Sequence, residues 1–309
     1  MTPNPSLRIG TRGSPLALAQ AQMVKSALLA QGGLADGDVE IVVISVKGDR
    51  VQDRTLAEIG GKGLFTEEIE AGLLDGSLHL AVHSTKDMPT RLPDGLVLGA
   101  FLPRADPRDA LITRGPRSIA ELPRGAVVGT ASLRRQAQLK AARPDLVVVP
   151  LRGNVQTRLR KLDAGEVQAT LLAMAGLVRL GLQHEASAAL SVEEMLPAVA
   201  QGAICVECRA DDRAVRALLD GINHAATMTA ITAERDFLAV LDGSCRTPIA
   251  ALAELDDDRL RLRGLVASPD GASVERIELA GDAADPAALG LQAGSELKAR
   301  LPSGCLAQA

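Results

Sequence analysis

Ile9-Gly10-Thr11-Arg12-Gly13-Ser14 leads into a segment carrying Gln20-Ala21-Gln22, and Val128-Gly129-Thr130-Ala131-Ser132 leads into one carrying Gln136-Ala137-Gln138. Each stretch reads as a strand, a Gly-Thr pair, a serine cap and a helix. Pro15 directly after Ser14 suits the first helical position, because the N–H that proline lacks has no partner there. The echo predicts two similar α/β domains. Facing one another, they would bring two helix N-termini to one cleft, and helix N-termini attract anions.

Outward from these two points the chain alternates strand and helix. Strands are predicted at Leu7–Ile9, Val39–Val46, Leu78–Val82, Leu96–Leu102, Ala110–Thr113, Ala126–Val128, Leu146–Leu151 and Ala169–Ala173. Helices are predicted from Pro15 to about Leu29 and at Leu64–Leu74, Leu133–Ala142 and Val155–Leu162. This is the pattern of α/β layers on a largely parallel sheet. Pro103–Asp109 reads as the crossing between the two domains, and Leu196–Ala200 as the return crossing into a strand Ala203–Cys208. Beyond about Gly221 the style changes to a helix Thr229–Leu241, three alternating strands (Ile249–Glu254, Leu260–Ala267, Val274–Leu279) and a helix Asp285–Arg300. Strands in sequence without crossovers predict an antiparallel sheet. The expected division is residues 4–102 with 201–220, residues 107–196, and an α+β domain of residues 225–309.

The 309 residues suit two or three domains. With 47% apolar and 23% charged residues, wholesale disorder is excluded. The longest largely apolar run, Ala169 to Val178, is too short for a membrane helix, which needs about 20 residues. Residues 1–5 show no basic start and four cysteines make no disulfide scaffold, so a cytoplasmic protein is expected. Nucleic-acid binding is disfavoured by a net charge of -4 and by an aromatic set of three Phe with no Trp or Tyr. Of the 34 basic residues only seven are Lys. Composition alone attributes that to codon bias, although guanidinium groups also suit carboxylate and phosphate recognition. The segment Thr130–Lys161 is sharper: eight basic residues face Asp145 alone.

Several constellations carry possible chemistry. Cys205 and Cys208 form C-x-x-C, but within a strand pattern and without a second ligand pair, so two core cysteines and no metal site are expected. Ser14, Thr130 and Ser132 serve as helix caps; beside Arg12, Arg134 and Arg135 they also suit an anion site. Gly60-Gly61-Lys62-Gly63 is a basic loop without Walker A spacing. His83-Ser84-Thr85-Lys86-Asp87 follows a predicted strand, where open α/β sheets bind ligands. Asp87 there is either a turn acid or an acid–base group. Cys245, in Gly243-Ser244-Cys245-Arg246, is a loop thiol near basic residues and thus a candidate attachment point.

These motifs together resemble the porphobilinogen deaminase (hydroxymethylbilane synthase) family. The likeness runs from Leu7 to about Leu255, through LRIGTRGSPLALAQAQ (7–22), GGKGLFTEEIE (60–70), AVHSTKDMPT (81–90), VGTASLRRQAQL (128–139), LRGNVQTRL (151–159), AGLVRLG (175–181), AQGAICVEC (200–208) and AERDFLAVLDGSCRTPIA (233–250). The resemblance implies two domains of the type II periplasmic-binding-protein fold around a cleft, plus a C-terminal α+β domain with a three-stranded antiparallel sheet. It implies a cytoplasmic, monomeric transferase that joins four porphobilinogen molecules head to tail with loss of ammonia, then hydrolyses off a linear tetrapyrrole. Its one cofactor is a dipyrromethane, held by a thioether to the cysteine matching Cys245.

The same resemblance assigns the residues. Asp87 matches the catalytic carboxylate, with Arg12, Arg152 and Arg179 nearest the reacting centre. Lys86, Asp87, Ser84, Thr130, Ser132, Arg134, Arg135 and Arg158 match cofactor-binding positions. Arg12, Ser14, Lys62, Phe65, Arg152 and Arg179 match substrate-binding positions. Each pyrrole carries an acetate and a propionate, which gives the arginines a purpose. The chain departs from the family at Glu58, where some members have Lys, at Ser244, where Gly is usual, and at Ala200, also usually Gly. A non-catalytic clamshell anion-binding protein is the alternative; it would use the same arginines but have no use for Cys245 or a third domain.

Overall fold

A computed structural model describes residues 7–50, 66–242 and 247–301. Lys62, Phe65, Cys245, Glu58, Ser244 and Cys305 lie outside the described residues. In chain order the strands are β1 (Leu7–Arg12), β2 (Val39–Ile44), β3 (Leu80–Ser84), β4 (Leu96–Phe101), β5 (Asp109–Thr113), β6 (Val127–Gly129), β7 (Val147–Val149), β8 (Ala169–Ala173), β9 (Ala188–Ala189), β10 (Ile204–Arg209), β11 (Ile249–Asp256), β12 (Arg259–Ala267) and β13 (Val274–Asp282).

The described residues fall into two compact units: 7–50 with 66–105 and 203–228, and 106–202 with 229–242 and 247–301. The first holds a five-stranded sheet of order β2-β1-β3-β10-β4. The second holds a five-stranded sheet of order β7-β6-β8-β5-β9 and a meander β11-β12-β13. The two five-stranded sheets repeat one plan. The first strand of each α/β run sits between the second and third, in parallel pairing. The fourth place is taken by a strand running the other way, β10 in one sheet and β5 in the other. The expected largely parallel sheet is therefore mixed, because the strand next to each crossing enters reversed.

The Gly-Thr echo has a packing cause. A Cβ on Gly10 would meet Leu78 Cδ1 at 2.4 Å, and one on Gly129 would meet Leu151 Cδ2 at 2.8 Å. Both glycines let a strand pass close beneath a core leucine. In the first unit, helix Pro15–Ala30 buries Ala21, Val24 and Leu28 against Ile9, Leu80 and Val82, while Ile69 and Leu73 of helix Glu67–Leu74 join Leu78 and Ala81 in a second cluster. Removing a buried side chain such as Leu28 to Ala costs about 2–5 kcal/mol. In the second unit, Val128, Leu139 and Leu171 form one cluster and Ala110, Leu159 and Leu172 another. Ala137 and Leu196 bury Ala250, Leu252 and Leu265 of the C-terminal sheet.

Local boundaries differ where a capping group or a proline intervenes. β7 stops at Val149, short of the expected Leu151, because Pro150 has no N–H to continue the ladder. Helix Ala225–Val240 starts a turn before the expected Thr229, since the N–H of Thr227 donates to His224 Nδ1 (3.2 Å) and holds that first turn. The two-residue β9 carries no readable strand pattern.

Candidate active site

β1 and β3 run parallel and adjacent, with Ile9 beside Leu80 and Gly10 beside Ala81. Their carboxyl ends, Arg12 and Ser84, therefore emerge side by side, the usual ligand edge of such a sheet. The chain after β1 turns at once into helix Pro15–Ala30, where the N–H of Ala17 donates to Ser14 Oγ (3.2 Å). After β3 a 3-10 turn, Thr85–Asp87, is closed by the Met88 N–H donating to Thr85 O (3.1 Å). The result is a cavity of about 60 Å³ lined by Arg12, Ser14, Gln20, Thr66, His83 and Asp87, among others.

Arg12, Ser14, Ser84 and Asp87, all expected from sequence, line this one cavity, and Lys86 lies in the same turn. Ser84 exchanges hydrogen bonds with Gln20: Gln20 Nε2 donates to Ser84 Oγ at 2.8 Å, and Ser84 Oγ lies 3.1 Å from Gln20 Oε1. Asp87 is half-buried, and its carboxylate makes no hydrogen bond or ion pair among the described residues. Gln20, Thr66 and His83 were not assigned a role from the sequence. Gln20 sits within the quoted echo and His83 within the Asp87 motif, but their shared cavity depends on pairing distant in sequence.

The second unit gathers Thr130, Ser132, Arg134, Arg135, Arg152, Arg158 and Arg179. Thr130 Oγ1 accepts from the Ser132 N–H (3.1 Å), and Ser132 Oγ from the Arg135 N–H (3.4 Å), so both hydroxyls hold the start of helix Leu133–Ala142. Arg134 and Arg135 are each 5% exposed and converge on Asp109, which is fully buried. Arg134 Nη1 donates to Asp109 Oδ2 (2.7 Å), while Arg135 Nε and Nη2 donate to Asp109 Oδ1 (3.1 and 2.6 Å). Gln201 Nε2 adds a fourth donor to that carboxylate (3.0 Å). Burial would raise the Asp109 pKa, but the two guanidinium groups overcome it and hold the carboxyl well below its usual range. No sequence motif marks Asp109 for this role.

Arg152, Arg158 and Arg179 are half-buried without a carboxylate among the described residues. Arg158 donates from Nε to Gly153 O (2.9 Å), and Arg179 from Nη2 to Gly202 O (2.6 Å). Burial, with repulsion from Arg135 and Arg152, pushes Arg158 down to about 10. Burial pushes Arg179 down to about 10 as well. Arg152 Nη1, Arg179 Nε and Arg134 Nε are buried with no hydrogen-bond partner among the described residues. Orphaned cationic donors of this kind are incomplete without an anion. Among the described residues Cys205 and Cys208 are buried and outside any disulfide, and no group of three metal-ligating side chains occurs.

Residues 7–217 match the family model "Porphobilinogen deaminase, dipyromethane cofactor binding domain", and residues 228–299 match "Porphobilinogen deaminase, C-terminal domain". The chain belongs to the porphobilinogen deaminase family. A porphobilinogen deaminase of Paracoccus denitrificans is 58% identical over 301 residues, covering 97% of this chain and 96% of that one. Two solved structures also align. A periplasmic substrate-binding protein of an ABC transporter from Coxiella burnetii does so at 16% identity and a TM-score of 0.45, over 72% of this chain and 94% of that one. A nutrient-binding protein from Burkholderia cenocepacia bound to methionine does so at 16% identity and a TM-score of 0.44, over 70% and 91%. The family carries a dipyrromethane. The orphaned guanidinium donors of Arg134, Arg152 and Arg179 fit such a group, whose pyrroles bear carboxylates.

Proposed function

We infer that Asp87 is the carboxylate at the reacting centre of this deaminase. The observation that carries the reading is its position: half-buried, unpaired among the described residues, and in one cavity with Arg12 and Ser14. As a hydroxymethylbilane synthase the chain is a transferase that condenses four porphobilinogen molecules, releases ammonia at each step and hydrolyses off a linear tetrapyrrole. When bound, the dipyrromethane supplies the free pyrrole α-carbon to which the first unit is joined.

Loss of ammonia leaves the substrate with positive charge on its pyrrole nitrogen. Asp87 stabilises that charge as a fixed counter-ion, the role of an oxyanion hole with signs reversed. Arg12 and Ser14 take a substrate carboxylate at the helix N-terminus beside them, and Lys86 and Ser84 hold the cofactor side of the cavity. In the second unit Arg152 and Arg179 act on substrate carboxylates, and Thr130, Ser132 and Arg158 on those of the cofactor. Arg134 and Arg135 contribute a net positive charge beyond their shared Asp109. Cys245 is proposed as the thioether position, with Lys62 and Phe65 as substrate contacts. A three-domain division at residues 4–102 with 201–220, 107–196 and 225–309 belongs to the same proposal, as do a monomer and a cytoplasmic location. No helix among the described residues is long and apolar enough to cross a membrane.

The clamshell anion-binding alternative is not favoured, since both parts of the deaminase family match this chain. Two measurements test the reading. Intact mass of the purified protein should exceed the sequence mass by one dipyrromethane, and Cys245→Ser should lack it, because a hydroxyl is a far weaker nucleophile than a thiol. An acidic aldehyde reagent should colour the wild type and leave Cys245→Ser colourless. Equal colour in both, or the added mass on Cys205, Cys208 or Cys305, would overturn the attachment site.

A further inference from the structure

Behind the Asp87 cavity lies a buried group of titratable side chains that the account above does not use. His83, on β3, lines the cavity and is 6% exposed. A hydrogen bond of 3.1 Å joins its Nε2 to Oε2 of Glu207, on β10, whose exposure is zero. In the register of these antiparallel strands Glu207 lies opposite Ala81, so the pair is a same-face diagonal. Ala81 packs with Ile69 and Leu73 of helix Glu67–Leu74, and that helix brings Glu70, 6% exposed, to the same cluster. Among the described residues Glu70 Oε1, Glu207 Oε1 and Thr66 Oγ1 are buried without a hydrogen-bond partner.

Burial first, then the nearby Glu207 charge, raises Glu70 above the ordinary carboxylate range, against the lowering effects of Thr66 and His83. The two carboxylate oxygens are acceptors without donors among the described residues, a gap that a proton or a water would fill. A structural tie between β3 and β10 would need neither the second carboxylate nor an opening onto the cavity. The charged or titratable groups around the imidazole are Glu207 and the buried Cys205 from β10, Glu70 and more distantly Glu67 from the helix, and Arg12 and Asp87 across the cavity.

The reaction supplies a proton for such a cluster. Starting from the ammonium form of the substrate, each cycle breaks one C–N bond, whose electron pair leaves with ammonia. It forms one C–C bond and breaks one C–H bond, whose electrons return to the pyrrole ring, so one proton is left over. We propose that His83, braced by Glu207 with Glu70 behind it, is the positioning acid–base group of the Asp87 cavity. It accepts that proton by way of Asp87 and passes it to the released ammonia or to water. The proposal rests on the reading of Asp87 as the reacting carboxylate.

Glu207→Gln is the discriminating variant, because Gln keeps an acceptor for His83 while removing the charge. It should fold, load cofactor and keep KM within about twofold, while kcat falls about 100-fold, the lower end for losing acid–base assistance. Its kcat–pH profile should be displaced from that of the wild type. His83→Gln should show the same split. Independently of turnover, the imidazole ring resonances of His83 in the loaded protein should move in Glu207→Gln and in Glu70→Gln, since both carboxyl groups face that ring. Wild-type kcat with an unchanged pH profile in folded Glu207→Gln and His83→Gln would overturn the proposal. So would His83 ring resonances that stay in place in both variants, or loss of kcat only in step with loss of fold and cofactor. An active Asp87→Asn would instead overturn the reading beneath it.

Discussion

Asp109 accepts a hydrogen bond from Arg134 at 2.7 Å, with no part of its carboxylate exposed. Arg135 closes on the other carboxylate oxygen at 2.6 Å. A side chain from the segment that leaves Pro103–Asp109 thus fixes two arginines at the start of helix Leu133–Ala142. Asp109→Asn keeps the shape and removes the charge, leaving two buried guanidinium groups facing a neutral amide. The expected loss is about 3–5 kcal/mol in urea unfolding, the range for breaking a buried pair from one side. The acid behaviour has a definite sign. The folded pKa is depressed, so the stabilisation is fully present above the unfolded Asp value of about 3.9 and is lost only as pH falls below it. The stability difference between wild type and Asp109→Asn should therefore stay flat from pH 7 to 5. A difference that collapses within that window would contradict the pairing.

Glu70 has the opposite sign. Burial raises its folded pKa, so its ionisation opposes folding, and stability falls as pH rises above the unfolded carboxylate value. Glu70→Gln should melt higher than wild type at pH 8 and together with it near pH 4. A variant that melts lower at pH 8 would show that the ionised carboxylate is stabilising.

Arg158 and Arg179, both pushed down to about 10, also oppose folding in their charged forms. Proton linkage makes stability rise as pH climbs above about 10 toward the ordinary Arg range. At neutral pH an anion should offset that opposition. Small polycarboxylates should raise the melting temperature of cofactor-free protein, and Arg158→Met should abolish most of that rise without lowering the starting melting temperature. An equal rise in both proteins would place the anion elsewhere.

The duplicated α/β plan was legible because Gly10 and Gly129 are demanded by neighbouring leucines and Ser14 and Ser132 by helix starts, all local causes. The reversed fourth strand was not, because the strand that fills it comes from the far side of a crossing. The same distance hid the partners of expected residues. Asp109 lies 25 residues from Arg134, in a stretch that reads as a linker, and Glu207 lies 124 residues from His83. Sequence spacing marks which residues carry chemistry; strand register decides which of them meet.

The arginines should differ in when they matter. Removing Arg134 or Arg135 leaves Asp109 under-paired beside the start of its helix and should yield mostly cofactor-free protein. Removing Arg12 or Arg179 should spare the cofactor and stall elongation, because a charge-assisted contact to an incoming carboxylate is worth roughly 1.5–3 kcal/mol. Lys should rescue Arg12 or Arg179 only in part, since it offers a point charge and no fork. Mass spectra after brief exposure to porphobilinogen would show these as absent cofactor or as accumulated one-, two- and three-pyrrole adducts. Identical spectra from all four variants would reduce the arginines to one undifferentiated field.

Asp87→Asn tests the centre of the account. The variant keeps the shape of the cavity and loses only the charge, so its intact mass should still include the dipyrromethane. After exposure to porphobilinogen its kcat should be down by about 100-fold or more, the scale for losing a preorganised electrostatic group. A variant carrying cofactor and turning over at the wild-type rate would reduce Asp87 to a turn residue and contradict the assignment.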